Sequence, residues 1–378
     1  MRLFTRLRKR FFVFLKRRYY YHFGEKNRYD YSIITLHKRT MIAGVRIQPV
    51  TKLQWTEIKN RFRGFKVDKK WFDYYNTVWK TQQPERSYDV TKVIPGSIFY
   101  PYVDPVFSHP LEAKTTSDKN LTDLLFPDIR RPRTIIRFQD GLFMNGQYGI
   151  ITREEALESV RRAGDVVVKP SAASGGGHGI VFWNADTDGD GVLENLFSGR
   201  HSYVVQERLI QHERMNALNA GSVNTIRLET FLWENKVHLL SGIVRMGGKG
   251  SRVDNLSSGG MSCGIDLENG QLSPKAYDFN HLNITYKKHP DGCEFNGFVI
   301  PSWKKCVSMV KNVAPRFGRV AKLIAWDIAI DEDGEPVLIE CNMMDSGCES
   351  LQFDNGPLFG DLTDEVLDYV RANRRRLY

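Results

Sequence analysis

The chain has 378 residues, 41% hydrophobic and 26% charged, a composition that suits two or three packed domains and excludes a disordered or low-complexity protein. The net charge of +10 suggests nucleic acid until its distribution is read: residues 1–28 hold ten Lys or Arg and one acid (Glu25), giving +9, so the other 350 residues carry +1. No basic face is left on the folded body, which argues against a nucleic-acid partner.

The first residues, MRLFTRLRKRFFVFLKRRYYYHF, contain an uninterrupted apolar run of only five, Phe11 to Leu15. That is too short for a secretory signal or a membrane span. Wound as a helix, Leu3, Phe4, Leu7, Phe11, Phe14 and Leu15 share one side, with Arg2, Arg6, Lys9, Arg10, Lys16 and Arg17 mostly opposite. Phe12 and Arg18 break the pattern. Such a basic amphipathic arm fits an anionic membrane surface; a solvated arm or a helix packed on the body fits as well. Five cysteines without a CxxC pair suit reduced thiols and a cytoplasmic protein, peripheral at the inner face of the membrane if the arm binds lipid, and speak against zinc.

Between 31 and 130 the signals are sparse: WFDYYNTVWK reads as a helix, and VIPGSIFYPYVDPVFSHP as a loop broken by prolines. From 150 they sharpen. Thr152 and Glu155 form a capping box for a short helix ending at Gly164. Strands follow at DVVVKP, IVFW and SYVVQERLI, then NTIRLETFLW and KVHLLSGIVRM as an antiparallel pair. SWKKCVSMVKNVA reads as a helix capped by Ser302, and TDEVLDYVRANRRR as a closing helix. Many antiparallel strands with few helices make an α+β layout.

Three stretches carry polar residues that chemistry can use. In VVVKPSAASGGGHGI, Lys169 ends a strand just before Ser174, Gly175, Gly176 and Gly177, where backbone N–H groups can approach an anion. The spacing matches neither GxxxxGK[ST] nor GxGxxG, so standing alone the stretch reads as a plain mobile loop. NADTDGDGVLEN starts like a calcium loop, but position twelve is Phe197 and the stretch joins two strands, so it reads as a surface turn. Arg227, on the strand after Asn224, suits either a phosphate or carboxylate contact or a rim salt bridge.

The most informative segment is LIAWDIAIDEDGEPVLIECN, residues 323–342. If Asp333 and Gly334 form a two-residue hairpin turn, Asp327 faces Glu340, and Asn342 points to the same side. Carboxylates inside apolar strands cost several kcal/mol unless compensated. Two acids about 5 Å apart plus an amide oxygen form a hard donor set for Mg²⁺ or Mn²⁺.

Together these pieces resemble the ATP-grasp superfamily over residues 110–365, and most nearly its sugar-transfer-associated group, met among polysaccharide-biosynthesis proteins. The resemblance rests on SVNTIRLETF, VDNLSSGG, HPDGCEFNGFVIPSW and AWDIAI…LIECN. It implies two α+β subdomains clamping ATP behind an atypical N-terminal region: a basic arm over 1–30, an N-terminal domain over 31–130, a small lid domain over 131–212 and a large metal-bearing domain over 213–378. It also implies that Asp327, Glu340 and Asn342 hold Mg²⁺, that Lys119 of SDKNLTDLL and Lys169 meet phosphates, and that Ser174 to Gly177 and Asn255 help to bind ATP. Adenine is expected at Arg208 and Ile210, beside Gln206 and Glu207. Arg227, Arg245 and Lys169 are the candidate catalytic residues. The implied activity is an ATP-dependent carboxylate–amine (or thiol) ligase working through an acylphosphate on a cell-envelope or capsular polysaccharide precursor. The alternatives are a phosphotransferase acting on a sugar hydroxyl and a non-enzymatic, membrane-associated organiser of glycan assembly.

Overall fold

The computed structural model describes residues 45–172, 177–199, 201–256, 259–278, 281 and 284–374. The expectations for the basic arm and for Ser174, Gly175 and Gly176 lie outside these residues. The described residues form two compact units, one within Met1–Phe107, His281–Ile284 and Gly347–Tyr378, the other within Ser108–Asn280 and Thr285–Ser346. The closing helices of the chain thus fold with the first unit.

In that first unit, Thr51 opens the helix Lys52–Arg61 with a capping box, and Asp68 caps the helix Lys69–Gln82. The second helix is aromatic along its buried side, with Trp71, Phe72, Tyr74, Tyr75 and Trp79. Against it lies the helix Cys348–Asn355. The Tyr75 and Phe353 rings are 4.9 Å apart, and Trp79 Nε1 donates to the Gln352 carbonyl at 3.1 Å. The proline-broken stretch expected as loop is instead a chain of helical turns, Gly96–Ile98, Phe99–Val103 and Asp104–Phe107. Its Ile98, Phe99, Val103 and Phe107 are buried, so the backbone around them pairs locally.

The second unit contains two antiparallel sheets. The smaller comprises β1 (Thr134–Gln139), β2 (Leu142–Asn145), β3 (Ile150–Ile151), β4 (Asp165–Pro170), β5 (Val181–Asn184) and β6 (Tyr203–Glu207), in the order β3-β2-β1-β6-β4-β5. The helix Arg153–Ala163 begins with the expected Thr152–Glu155 capping box and ends at Gly164. It buries Ala156, Leu157 and Val160 against Ile136, Phe138, Val166, Val168, Trp183 and Val205. Each Val, Leu, Ile or Phe side chain among them contributes about 1.5–3 kcal/mol when fully buried.

The larger sheet comprises β7 (Thr225–Trp233), β8 (Lys236–Met246), β9 (Met261–Ile265), β10 (Leu272–Asp278), β11 (Thr285–Tyr286), β12 (Leu323–Ile330) and β13 (Pro336–Asn342), in the order β11-β10-β9-β8-β7-β12-β13. Every residue of β12 is buried, because β7 and β13 flank it and the helix Trp303–Val313 belongs to the same core. Ser302 does not cap that helix through its side chain. It sits at φ 53°, and its hydroxyl donates to the Gly334 carbonyl at 2.6 Å.

The β12–β13 hairpin keeps the expected register at its important end by a different route. Its turn is longer than two residues: Asp331 N–H donates to the Glu335 carbonyl at 3.1 Å, and Gly334 takes the left-handed position at φ 77°. The Asp331 carboxylate fixes this shape, accepting from Glu335 N–H at 2.9 Å and pairing with Arg130 at 2.7 Å. The longer turn pairs Ile328 with Leu338, one residue off the expected register, and a bulge then restores Asp327 opposite Glu340.

Candidate active site

Adjacent strands set Arg227, Asp327 and Glu340 side by side, since Asp327 pairs with Arg227 on β7 and with Glu340 on β13. The acids are compensated by protein cations. Arg227 grips Asp327 at two points, Nε to Oδ1 and Nη2 to Oδ2, each 2.8 Å. Arg245 Nη2 lies 3.1 Å from Asp327 Oδ2, and Lys119 Nζ lies 3.1 Å from Glu340 Oε1. Arg227, 15% exposed and bound to the buried Asp327, is therefore a largely buried ion-pair partner and not a rim residue.

Burial would raise the Asp327 carboxyl's pKa, but Arg227 and Arg245 outweigh it and hold the group below its ordinary value. Burial likewise disfavours the charged Arg227 guanidinium, yet Asp327 keeps its pKa above the usual range. Arg245 reaches further: it donates to Thr225 Oγ1 at 2.8 Å and lies 3.4 Å from Asp254 Oδ2, while the Thr225 hydroxyl also bonds Asp254. Nothing local in the sequence links Asp254 to β7 or β8; only the fold brings it to Thr225 and Arg245.

Lys169 is the last residue but one of β4, and its Nζ donates to Gln206 Oε1 at 3.0 Å. Burial pulls its ammonium from 10.5 down to about 8, against the raising effect of Glu340 and with a further lowering by Lys119. Lys119 reaches this point because its own N–H donates to the Ser171 carbonyl at 2.7 Å, which ties its turn to the end of β4. The two lysines and the acid row thus come together from four separate segments.

A cleft of about 910 Å³ opens beside them, lined by Lys169, Thr225, Asp254, Asn255 and the hinge from Glu207 to Gln211. Along the hinge, Arg208 N–H donates to the Asp165 carbonyl at 3.1 Å, and Glu332 N–H donates to the Ile210 carbonyl at 3.1 Å. Glu207 pairs with Arg133. Gly177 comes down on the loop after β8, at φ 72°; a Cβ there would lie 2.6 Å from Asn255 Nδ2. Nearby, the Arg252 guanidinium stacks over the Phe182 ring at 4.3 Å, a contact between segments 70 residues apart.

Asn342 Nδ2 is buried without an acceptor. Among the described residues, no cluster of three or more His, Cys, Asp or Glu is placed to hold a metal ion. No helix among them is long and apolar enough to cross a membrane.

The second unit is thus an α+β body of two antiparallel sheets that carries a cation–carboxylate row beside a cleft. A sequence profile described as sugar-transfer associated ATP-grasp matches residues 105–366, and the chain belongs to that family. No curated protein matches the chain. Solved structures similar to it include D-alanyl-alanine synthetase A from Vibrio cholerae, at 10% identity and TM-score 0.44, covering 71% of this chain and 68% of that one. D-alanine–D-alanine ligase from Bacillus anthracis complexed with ATP gives 14% identity and TM-score 0.39, covering 71% and 69%. The biotin carboxylase domain of Hydrogenobacter thermophilus 2-oxoglutarate carboxylase gives 14% and 0.44, covering 71% and 48%.

Proposed function

We propose that this protein is an ATP-dependent carboxylate–amine (or thiol) ligase that forms an acylphosphate on a cell-envelope or capsular polysaccharide precursor. The observation that carries the reading is the meeting of Lys119 and Lys169 with Asp327 and Glu340 beside the cleft. That arrangement offers both positive charge for phosphates and hard oxygens for their counter-cation.

At the hinge, the Arg208 N–H and the Ile210 carbonyl are already engaged. The Arg208 carbonyl and the Ile210 N–H remain as acceptor and donor for an adenine edge. Asp327, Glu340 and Asn342 fit Mg²⁺ or Mn²⁺. Both acids keep lone pairs beyond those their cations occupy, and turning the Asn342 amide would give its oxygen to the cation and relieve its buried, partnerless donor. If bound, the ion would supply charge neutralisation on the phosphates.

The remaining chemistry belongs to the chain. Lys119 and Lys169 neutralise the phosphate end of ATP and orient the γ-phosphoryl group towards a substrate carboxylate. Carboxylate oxygen attacks phosphorus, the bond to ADP breaks, and an amine then displaces phosphate from the acyl carbon. Arg245, held by Asp327 and by Thr225 of the cleft lining, stabilises the charge that develops. Arg227 keeps Asp327 ionised and in place.

Incubating purified protein with Mg²⁺-ATP, sugar acids, amines and hydroxylamine tests the reading. Hydroxamate with ADP release is the expected result. ADP with a phosphorylated sugar would replace it with the phosphotransferase, and no turnover would favour the non-enzymatic organiser.

A further inference from the structure

The turn that carries Lys119 is held by a buried arginine of the smaller sheet and a strained tyrosine of its β2–β3 turn, neither of which lines the cleft. Arg137, in β1, is fully buried. Its guanidinium donates to the carbonyls of Asn145 at 3.0 Å and Gly146 at 2.9 Å, and it pairs with Asp123. Its Nε points at the Asn120 carbonyl at 3.4 Å. Tyr148 lies with its ring 3.8 Å from that guanidinium, and its hydroxyl donates to the same Asn120 carbonyl at 2.6 Å.

Two donors therefore converge on the backbone carbonyl of the residue next to Lys119. The Asn120 side chain is buried and has no partner of its own, so its hold on the sheet runs through that carbonyl. Asp123, two residues beyond Leu121, is fixed in turn by Arg131 at 2.8 Å. Tyr148 reaches its place only from a left-handed backbone, φ 65°, which a bulky residue rarely adopts. Strain of this kind persists where the surroundings over-determine the conformation.

We infer that Tyr148 and Arg137 are positioning residues for Lys119: together they set the height of its turn, and with it the distance of the ammonium from the phosphate end of a nucleotide. The inference rests on the nucleotide-site reading and adds residues to it. Packing alone needs no hydroxyl on Tyr148, whereas the proposed role does.

The test separates ATP from AMP, because a misplaced Lys119 weakens only the ligand that carries the outer phosphates. Affinities of the full-length protein for ATP and AMP are measured calorimetrically with Mg²⁺, for wild type, Tyr148→Phe, Lys119→Met and the double variant. Arg137→Lys, which keeps the charge but loses the fork, is a second probe. Tyr148→Phe is expected to weaken ATP about fivefold to tenfold, the worth of one net hydrogen bond, and to leave AMP within about twofold. In the Lys119→Met background it should add almost nothing. Unchanged ATP affinity in Tyr148→Phe, equal losses for ATP and AMP, or fully additive losses would each overturn the inference while leaving the nucleotide site intact. A wild-type protein that binds no ATP would overturn the nucleotide-site reading first, and this inference with it.

Discussion

Asp327 and Arg227 are direct cross-strand partners on β12 and β7, joined at two points of 2.8 Å each. Arg245 adds a third contact at 3.1 Å, and Lys119 answers Glu340 at the same distance. Side by side, the two carboxylates would repel, but each has its own cation. Neutralising the buried Asp327 therefore strands its cations instead of relieving strain. Removing one partner of a buried pair is also far more costly than replacing both with apolar groups.

Arg227→Met is expected to lower the free energy of unfolding by about 3–5 kcal/mol, and adding Asp327→Leu should recover most of that loss. Urea denaturation of the three proteins measures it. A loss under about 1 kcal/mol for the single variant would mark the pair as solvent-screened. Because Asp327 is held below its ordinary pKa, its contribution is complete above about pH 4 and disappears as pH falls through the depressed folded value. The acid limb of the stability profile should therefore be shallower in the double variant.

Glu340→Gln should leave the melting temperature of metal-free protein within about 2 °C, since the Glu340–Lys119 pair is partly exposed and carries little net stability. Mn²⁺ binding in the presence of nucleotide, followed by electron paramagnetic resonance, should weaken by at least about tenfold. A variant that melts several degrees higher would restore the picture of two repelling acids. Unaltered Mn²⁺ binding would remove Glu340 from the ligand set.

Lys169 supplies a pH signature. In the free protein its ammonium titrates at about 8, and a phosphate beside it favours the charged form. Binding of ATP near pH 8 should then take up part of a proton, seen as a dependence of the calorimetric enthalpy on buffer ionisation. Lys169→Met should abolish the effect. For folding the sign follows from the same shift: the unfolded lysine holds its proton more tightly, so stability rises with pH between about 8 and 10.5. Proton-neutral ATP binding by the wild type would place Lys169 away from the phosphates.

Much of this site was legible in the sequence, for local reasons. Alternating apolar residues mark β7 and β8, Thr152 and Glu155 mark a helix start, and the acids inside β12 and β13 mark a place where charge is needed. The hairpin of β1 and β2 was missed although Asp140 and Gly141 sit between paired Gln139 and Leu142. The compensating cations were not legible. Arg227 and Asp327 are 100 residues apart, and only the adjacency of β7 and β12 brings them together. Tyr148 and Asn120 meet across 28 residues for the same kind of reason. The turn and bulge of β12–β13 depend on Arg130 holding Asp331, another contact between distant segments. Sequence pattern reports which faces are apolar; it does not report which strand lies next to which.

The basic N-terminal arm gives the last expectation, which rests on charge alone. Residues 1–28 carry +9 of the total +10. Each basic residue near an acidic bilayer contributes about 1 kcal/mol, and the attraction is screened by salt. Full-length protein should therefore co-sediment with phosphatidylserine-containing vesicles at low salt and progressively less at high salt, and should ignore neutral vesicles. Deleting residues 1–28 should abolish sedimentation while leaving both the melting temperature and ATP affinity unchanged. If the deletion instead lowers the melt by many degrees and the intact protein fails to bind vesicles, the arm serves the fold and not a membrane. Loss of ATP affinity on deletion would tie the arm to the nucleotide site, which its charge would then serve directly.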